Sequence, residues 1–161
     1  MFNKENRMFK QITIQSLLLL MITTAAWATP QLLLGPGSSN AGTVIIPVIL
    51  SNEKGVGIAS VGMDISYDSN DLEVPTVIIG AAADSAGKHV SISTVSLGIV
   101  RLGAFGFNTT AIGNGVVANI TFAKKTAAKT EALQFKYLST ASNPVGDEVV
   151  LNTTDLMLVV E

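Results

Sequence analysis

The chain offers one histidine, His89, and no cysteine, so any Ser-His-Asp relay would have to run through His89. That residue stands beside Lys88 in a run of Gly, Ala and Ser, and no G-x-S-x-G elbow is present to expose a nucleophile. It reads as a solvated loop residue rather than a general base or a ligand. Glycoside cleavage needs two carboxylates flanking a cleft. Asp64 with Asp68, or Asp71 with Glu73, could supply such a pair. Asp64, however, falls in the wet phase of a strand, and Asp68-Ser69-Asn70-Asp71 is a turn former whose short side chains bond their own backbone. Asp68-x-Asn70 opens like a calcium loop, but Leu72 occupies the next ligand position and no Gly follows, which argues against an EF-hand and leaves a structural calcium at this turn open. Neither a metal nor a cofactor follows from these residues; the chain is read as having no catalytic residue and as not being an enzyme.

The elements that would position any site read as strands. From Ser60 to Tyr67 the chain alternates strictly: Val61, Met63, Ile65 and Tyr67 are apolar or aromatic, and Ser60, Gly62, Asp64 and Ser66 are small or polar. Period two marks a strand with one buried and one wet face. Similar segments recur with Gly, Asn, Asp or Pro between them: Gln31 to Leu34, Thr43 to Leu50, Leu72 to Ile79, Val90 to Val95, Ile99 to Phe105, Val116 to Phe122, the Leu133 to Tyr137 stretch, and Leu156 to Val160. Pro47 suggests an edge or a bulge, because proline cannot donate to a ladder. Gly80 to His89 reads as a loop, Leu97-Gly98 as the joint of a strand pair, and Val149 to Leu151 as an additional short piece. On the strand from Val116 to Phe122, Val116, Ala118, Ile120 and Phe122 are expected on one face, with Val117, Asn119 and Thr121 on the other. The fold class is all-β, a nine-stranded β-sandwich, with no helical period and no internal repeat.

The first 28 residues read as a secretory signal peptide. Lys4, Arg7 and Lys10 make a basic region, Leu17 to Ile22 is unbroken and apolar, and Ala26-Trp27-Ala28 is a small-x-small cleavage site before Thr29. The apolar core is far short of the ~20 residues of a spanning helix. The expected domains are therefore a leader at 1–28 and one sandwich at 29–161. That leaves 133 residues with seven Lys and Arg against eleven Asp and Glu, a weakly acidic balance without a basic cluster. This argues against a nucleic-acid partner. Lys124, Lys125 and Lys129 are too few for a polyanion groove and read as a solvated turn. The sequons at Asn108, Asn119 and Asn152 are of the kind that arises by chance in Thr-rich strands. The expected location is extracellular or cell-surface, or periplasmic in a cell with an outer membrane, with no membrane span after cleavage.

Three segments together resemble the cohesin family, the receptor modules of bacterial cellulosome scaffolds. Gly42-Thr43-Val44-Ile45-Ile46-Pro47-Val48 looks like the family's GxTVxxPV strand. Gly57-Ile58-Ala59 through Tyr67-Asp68 to Leu72-Glu73-Val74 looks like GIA…YDPxxLEV. Gly115-Val116-Val117-Ala118-Asn119-Ile120-Thr121-Phe122 looks like a third family strand. The resemblance implies a jelly-roll sandwich without a catalytic centre. One flat sheet face would hold a dockerin, a small helical module that carries its own calcium. Val100, Leu102 and Ala104 are the expected inward set of their strand. The outward residues on the two implicated strands are Ser60, Gly62 and Asp64, and Arg101, Gly103 and Phe105; these are the expected partner-binding residues. The best-studied cohesins read GIANCD, with Asn and Asp bonding the dockerin. Here Ser60 keeps a hydroxyl, Gly62 brings no carboxylate, and Phe105-Gly106-Phe107-Asn108 stands in place of the family's acidic patch. The competing functions are a carbohydrate-binding module and a structural surface or fimbrial subunit. Sugar platforms stack on exposed Trp or Tyr. The only Trp lies in the leader, and Tyr67 and Tyr137 both fall in inward phase, which leaves Phe105 and Phe107 for polysaccharide.

Overall fold

In a computed structural model, residues 29–40, 42–125, 133–152 and 157–160 are described. The segment read as a leader, Lys129, Thr153, Thr154 and Leu156 lie outside them. In chain order the elements are β1 (Gln31–Leu34), β2 (Ser38–Ser39), β3 (Thr43–Ser51), β4 (Ser60–Ser66), β5 (Thr76–Ile79), α1 (Ala81–Ser85), β6 (His89–Ser96), β7 (Ile99–Phe105), β8 (Gly115–Ala123), β9 (Leu133–Ser142) and β10 (Met157–Val160). They form two antiparallel sheets. The first runs β1-β3-β8-β5, with β2 added along β3; the second runs β10-β9-β4-β7-β6. Among the described residues nine strands have four residues or more, compatible with the nine expected, and β2 adds a piece of two residues.

The core lies between the sheets because each strand turns its apolar phase inward. Val61, Met63 and Ile65 of β4 and Val100, Leu102 and Ala104 of β7 are buried, as the alternation requires. Val44, Ile46, Val48 and Leu50 of β3 and Ile120 and Phe122 of β8 belong to the same buried cluster. The Tyr67 ring, just past β4, meets Phe122 with centroids 5.0 Å apart and planes tilted by 59°. Each such aliphatic side chain contributes about 1.5–3 kcal/mol when fully buried.

Several local expectations are corrected. Val117 is fully buried and Val116 only half, the reverse of the simple alternation. Val48 pairs with Ala118 and Ile49 with Val116, so Val117 is an extra residue in a β-bulge, and the phase of β8 slips there. The same bulge lies beside Pro47, but β3 has neighbours on both sides and is not an edge. The expected strand at Leu72 begins only at Thr76; Leu72 makes one isolated bridge to Lys124. The loop from Gly80 contains the short helix α1, whose three alanines are strong helix formers but too few to show a period. Val149 to Leu151 is not a strand, although Val149 N donates to Ala141 O at 2.9 Å. The joint between β6 and β7 at Leu97-Gly98 is a tight turn. Gly98 takes φ 74°, a left-handed conformation that glycine adopts without strain. Among the described residues no helix is long and apolar enough to cross a membrane.

Candidate docking face

The outer face of the second sheet is built as rows across four strands. Thr140, Gly62, Gly103 and Ser91 form one row, and Leu138, Asp64, Arg101 and Ser93 the next. Ser60 pairs with Ser142, and Phe105 with His89, at one end of the face. All six residues singled out in the sequence thus share this face. The alternation of β4 and β7 places them there, and the register of the β4–β7 pair brings them side by side.

The centre of the face is an ion pair. Arg101 Nε donates to Asp64 Oδ1 at 2.6 Å, and Arg101 Nη2 donates to Oδ2 at 2.7 Å. Two parallel bonds fit the planar guanidinium to the carboxylate. They hold the Asp64 carboxyl below its usual range, and they raise Arg101 above its own. The pair cancels its own charge. Beside it, Gly62, Met63, Asp64, Arg101, Leu138 and Thr140 surround a shallow depression of about 340 Å³. A Cβ at Gly62 would stand 2.8 Å from Thr140 Oγ1, so the bare backbone leaves room for the threonine and keeps the depression open. The Phe105 ring lies over Gly103, where a Cβ would be 3.5 Å from the ring, and it stays half exposed. Ser60 Oγ and Ser142 Oγ share a hydrogen bond of 2.7 Å. Leu138 is 56% exposed, a large aliphatic side chain next to the ion pair.

Leu138, Thr140 and Ser142 of β9 and Ser91 and Ser93 of β6 were not anticipated as parts of this face. The alternation on β9 continues past Tyr137, with Ser139 and Ala141 inward and Leu138 and Thr140 outward. Its small, polar inward residues hide that period, but counting on from Tyr137 in steps of two would have found it.

The other chemical candidates stay apart. His89 is the exposed first residue of β6, at the end of a strand rather than in a loop. Asp68 Oδ1 accepts from Asn70 N at 2.8 Å, which is the turn its residue type favours. Lys124 Nζ donates to Ser39 Oγ at 2.6 Å, and Lys125 Nζ to Ser69 O at 2.8 Å. Among the described residues no three His, Cys, Asp or Glu side chains gather where they could hold a metal. A second depression of about 300 Å³ beside α1, between Ala82 and Asn114, is lined without any titratable side chain. Tyr67 and Tyr137 are both buried, so neither presents a ring to a flat ligand.

The outer face of this two-sheet antiparallel sandwich thus closes its charge in one ion pair and carries exposed side chains at Leu138 and Phe105. The chain belongs to the cohesin family: the cohesin domain profile matches residues 30–156. Among solved structures it is similar to the sixth cohesin of scaffoldin B from Acetivibrio cellulolyticus, solved with the Cel5 dockerin, at 23% identity and a TM-score of 0.69, covering 83% of this chain and 100% of that one. It is also similar to the OlpA type I cohesin from Clostridium thermocellum, solved with a dockerin, at 19% identity and a TM-score of 0.67, covering 83% and 99%. A cohesin module of a family 33 glycoside hydrolase from Clostridium perfringens matches at 10% identity and a TM-score of 0.60, covering 82% and 95%. No curated protein matches the chain.

Proposed function

We propose that this protein is an exported, non-catalytic docking module that holds a dockerin-type helical partner on the outer face of the β9-β4-β7-β6 sheet. The observation that carries the reading is the gathering of Ser60, Gly62, Asp64, Arg101, Gly103 and Phe105 on one face, joined there by Leu138 and Thr140. The chemistry is contact. Leu138 and Phe105 supply apolar anchors, the depression at Gly62 accepts a side chain, and the Ser60, Ser142 and Thr140 hydroxyls supply hydrogen bonds at its edge. Calcium belongs to the partner, and polysaccharide breakdown is the setting in which such a pair would work. The export signal in the first 28 residues supports a secreted or cell-surface location.

Direct polysaccharide binding is the second reading, supported by the exposed rings of Phe105 and Phe107. The two are separated by titrating the purified protein with the Acetivibrio cellulolyticus Cel5 dockerin and with Clostridium thermocellum dockerins, in calcium and then in EDTA, beside a pull-down on insoluble cellulose. Calcium-dependent binding of a dockerin supports docking. Retention on cellulose that Phe105→Ala abolishes, with no dockerin bound, would replace it with the sugar reading.

A further inference from the structure

Lys88, directly before β6, is only 3% exposed. Lysine is almost never buried without a partner, and taking its charge out of water is costly. Among the described residues no carboxylate pairs with it. Its Nζ donates instead to the Asn108 main-chain oxygen at 3.1 Å and to Asn108 Oδ1 at 2.8 Å. Burial pushes the amine below its usual value, toward the neutral form. The stem is held: a Cβ at Gly106 would stand 3.2 Å from Lys88 Cδ, so the lysine passes over bare backbone. Docking makes no use of this buried amine.

A neutral amine is a nucleophile, and a carboxamide carbon can accept one. With Nζ 2.8 Å from Oδ1 and a C=O bond of about 1.2 Å, Asn108 Cγ lies no more than about 4 Å from the amine, close to the attack distance of roughly 3–3.5 Å. The carboxamide is fixed from its other sides. Asn108 Nδ2 donates to Gly87 O at 2.9 Å, and Oδ1 also accepts from Thr110 N at 3.1 Å. The Thr110 N–H is thus aimed at the oxygen on which charge builds during attack. Asn108 is exposed, so ammonia has a path to water. Groups held in such proximity gain an effective molarity of up to about 10⁵–10⁸ M, which offsets the low reactivity of an amide.

We propose that Lys88 and Asn108 join in an intramolecular amide that staples the edge strand β6 to the segment after β7. A bond forms from Lys88 Nζ to Asn108 Cγ, and the Cγ–Nδ2 bond breaks. Of the three protons on the lysine ammonium, one stays on the new amide and two leave with Nδ2 as ammonium. No oxidant, metal or other reactant enters. The place suits a staple. β6 is the last strand of its sheet, and edge strands are exposed to mispairing. The β6–β7 pair is closed at one end by Leu97-Gly98, and the amide would close the other, past the His89–Phe105 pairing. The chain has no cysteine with which to do the same.

Intact mass spectrometry of the purified protein, held in mildly alkaline buffer, tests it beside Lys88→Met and Asn108→Ala. Wild type is expected to be lighter than its sequence by one ammonia, and both variants to keep their full mass. After trypsin, wild type is expected to yield peptide 55–101 joined to peptide 102–124, because an acylated Lys88 is no longer cut; an unlinked chain yields 55–88, 89–101 and 102–124 separately. Full mass in wild type would overturn the proposal. So would an ammonia loss that persists in Lys88→Met, which would assign it to a succinimide, for which Asn114-Gly115 is the apt sequence. Thermal melts judge the stapling role. Replacing a buried ion by an apolar isostere is often neutral or stabilising. A melting temperature about 5 °C or more below wild type in Lys88→Met, the expected result, therefore reports the lost cross-link. A cross-linked wild type that melts no higher than Lys88→Met would overturn the staple.

Discussion

On the first sheet the outward side chains of β3 and β8 include Ile45, Pro47, Ile49, Asn119 and Thr121, with Ile78 beside them on β5; on the second, β4 and β7 present Gly62, Asp64, Arg101 and Gly103. The first set is mostly aliphatic and partly covered by its own chain. Gly35 packs against Ile49 and Pro47, its N–H donates to Pro47 O at 2.8 Å, and β2 lies along Val44 and Ile45. The second set is left bare, and the charge it carries is closed in a bidentate pair. Inward, the two sheets are alike, both contributing Ile, Val, Leu and an occasional aromatic to one core. The difference teaches that the inner faces carry stability for both sheets together, while the outer faces are free to diverge, one toward self-coverage and one toward the docking role proposed above.

The strongest way to break this comparison is to show that the core is not shared. Phe122→Ala on the first sheet is expected to cost about 3–5 kcal/mol and Met63→Ala on the second about 2–5 kcal/mol, measured by urea unfolding. A loss below about 1 kcal/mol at either would mean that its sheet does not depend on the other. Next, Leu138→Asp is expected to weaken dockerin binding by about tenfold or more, because it sets an unpaired charge in the centre of the contact, whereas Ile78→Asp on the opposite sheet should leave affinity within about twofold. Calorimetry showing the reverse order would move the docking face to the other sheet.

A smaller effect concerns pH. The folded state holds Asp64 below its usual pKa of 3.8, chiefly through the hydrogen bonds from Arg101. At low pH the unfolded chain therefore binds the proton more readily than the folded one. The stability from this pair is full well above about pH 4 and fades as pH falls through the lowered value. Wild type should melt slightly above Asp64→Asn at pH 7, and the gap should close by about pH 2 in a series of thermal melts. A gap that widens on acidification would contradict the pairing. The smallest effect is expected at Tyr137, whose buried hydroxyl has, among the described residues, only the Leu34 backbone near it and no hydrogen bond of good geometry. Tyr137→Phe should change stability by no more than about 0.5 kcal/mol, with stabilisation the favoured direction, since removing a buried unsatisfied group relieves its desolvation cost.

Much of this was legible in the chain because period two is a local property. Val61, Met63 and Ile65 announce the inner face of β4 by themselves, and the outward places of Ser60, Gly62 and Asp64 follow. Where locality fails, the reading fails. The bulge at Val117 adds one residue to one strand of a pair, and only the partner strand reveals it. The one-turn helix at Ala81–Ser85 is shorter than the window in which a helical period can be recognised. The β9 contribution was hidden because Ser139 and Ala141 are buried although small: Ser139 is satisfied by donating to Leu32 O at 2.8 Å, a bond to the other sheet that no local pattern records.

From the residues alone came the all-β class, the phases of β4 and β7 and the motifs that mark a cohesin. The tertiary structure decided which strands are neighbours. Asp64 meets Arg101 across a sequence separation of 37, Leu138 arrives beside them from β9, and Lys88 reaches Asn108 from 20 residues away. The physical reason is that side-chain alternation is fixed within a strand by its own backbone, whereas the ladder between strands can form in many pairings and registers, and only packing of the complete core selects one.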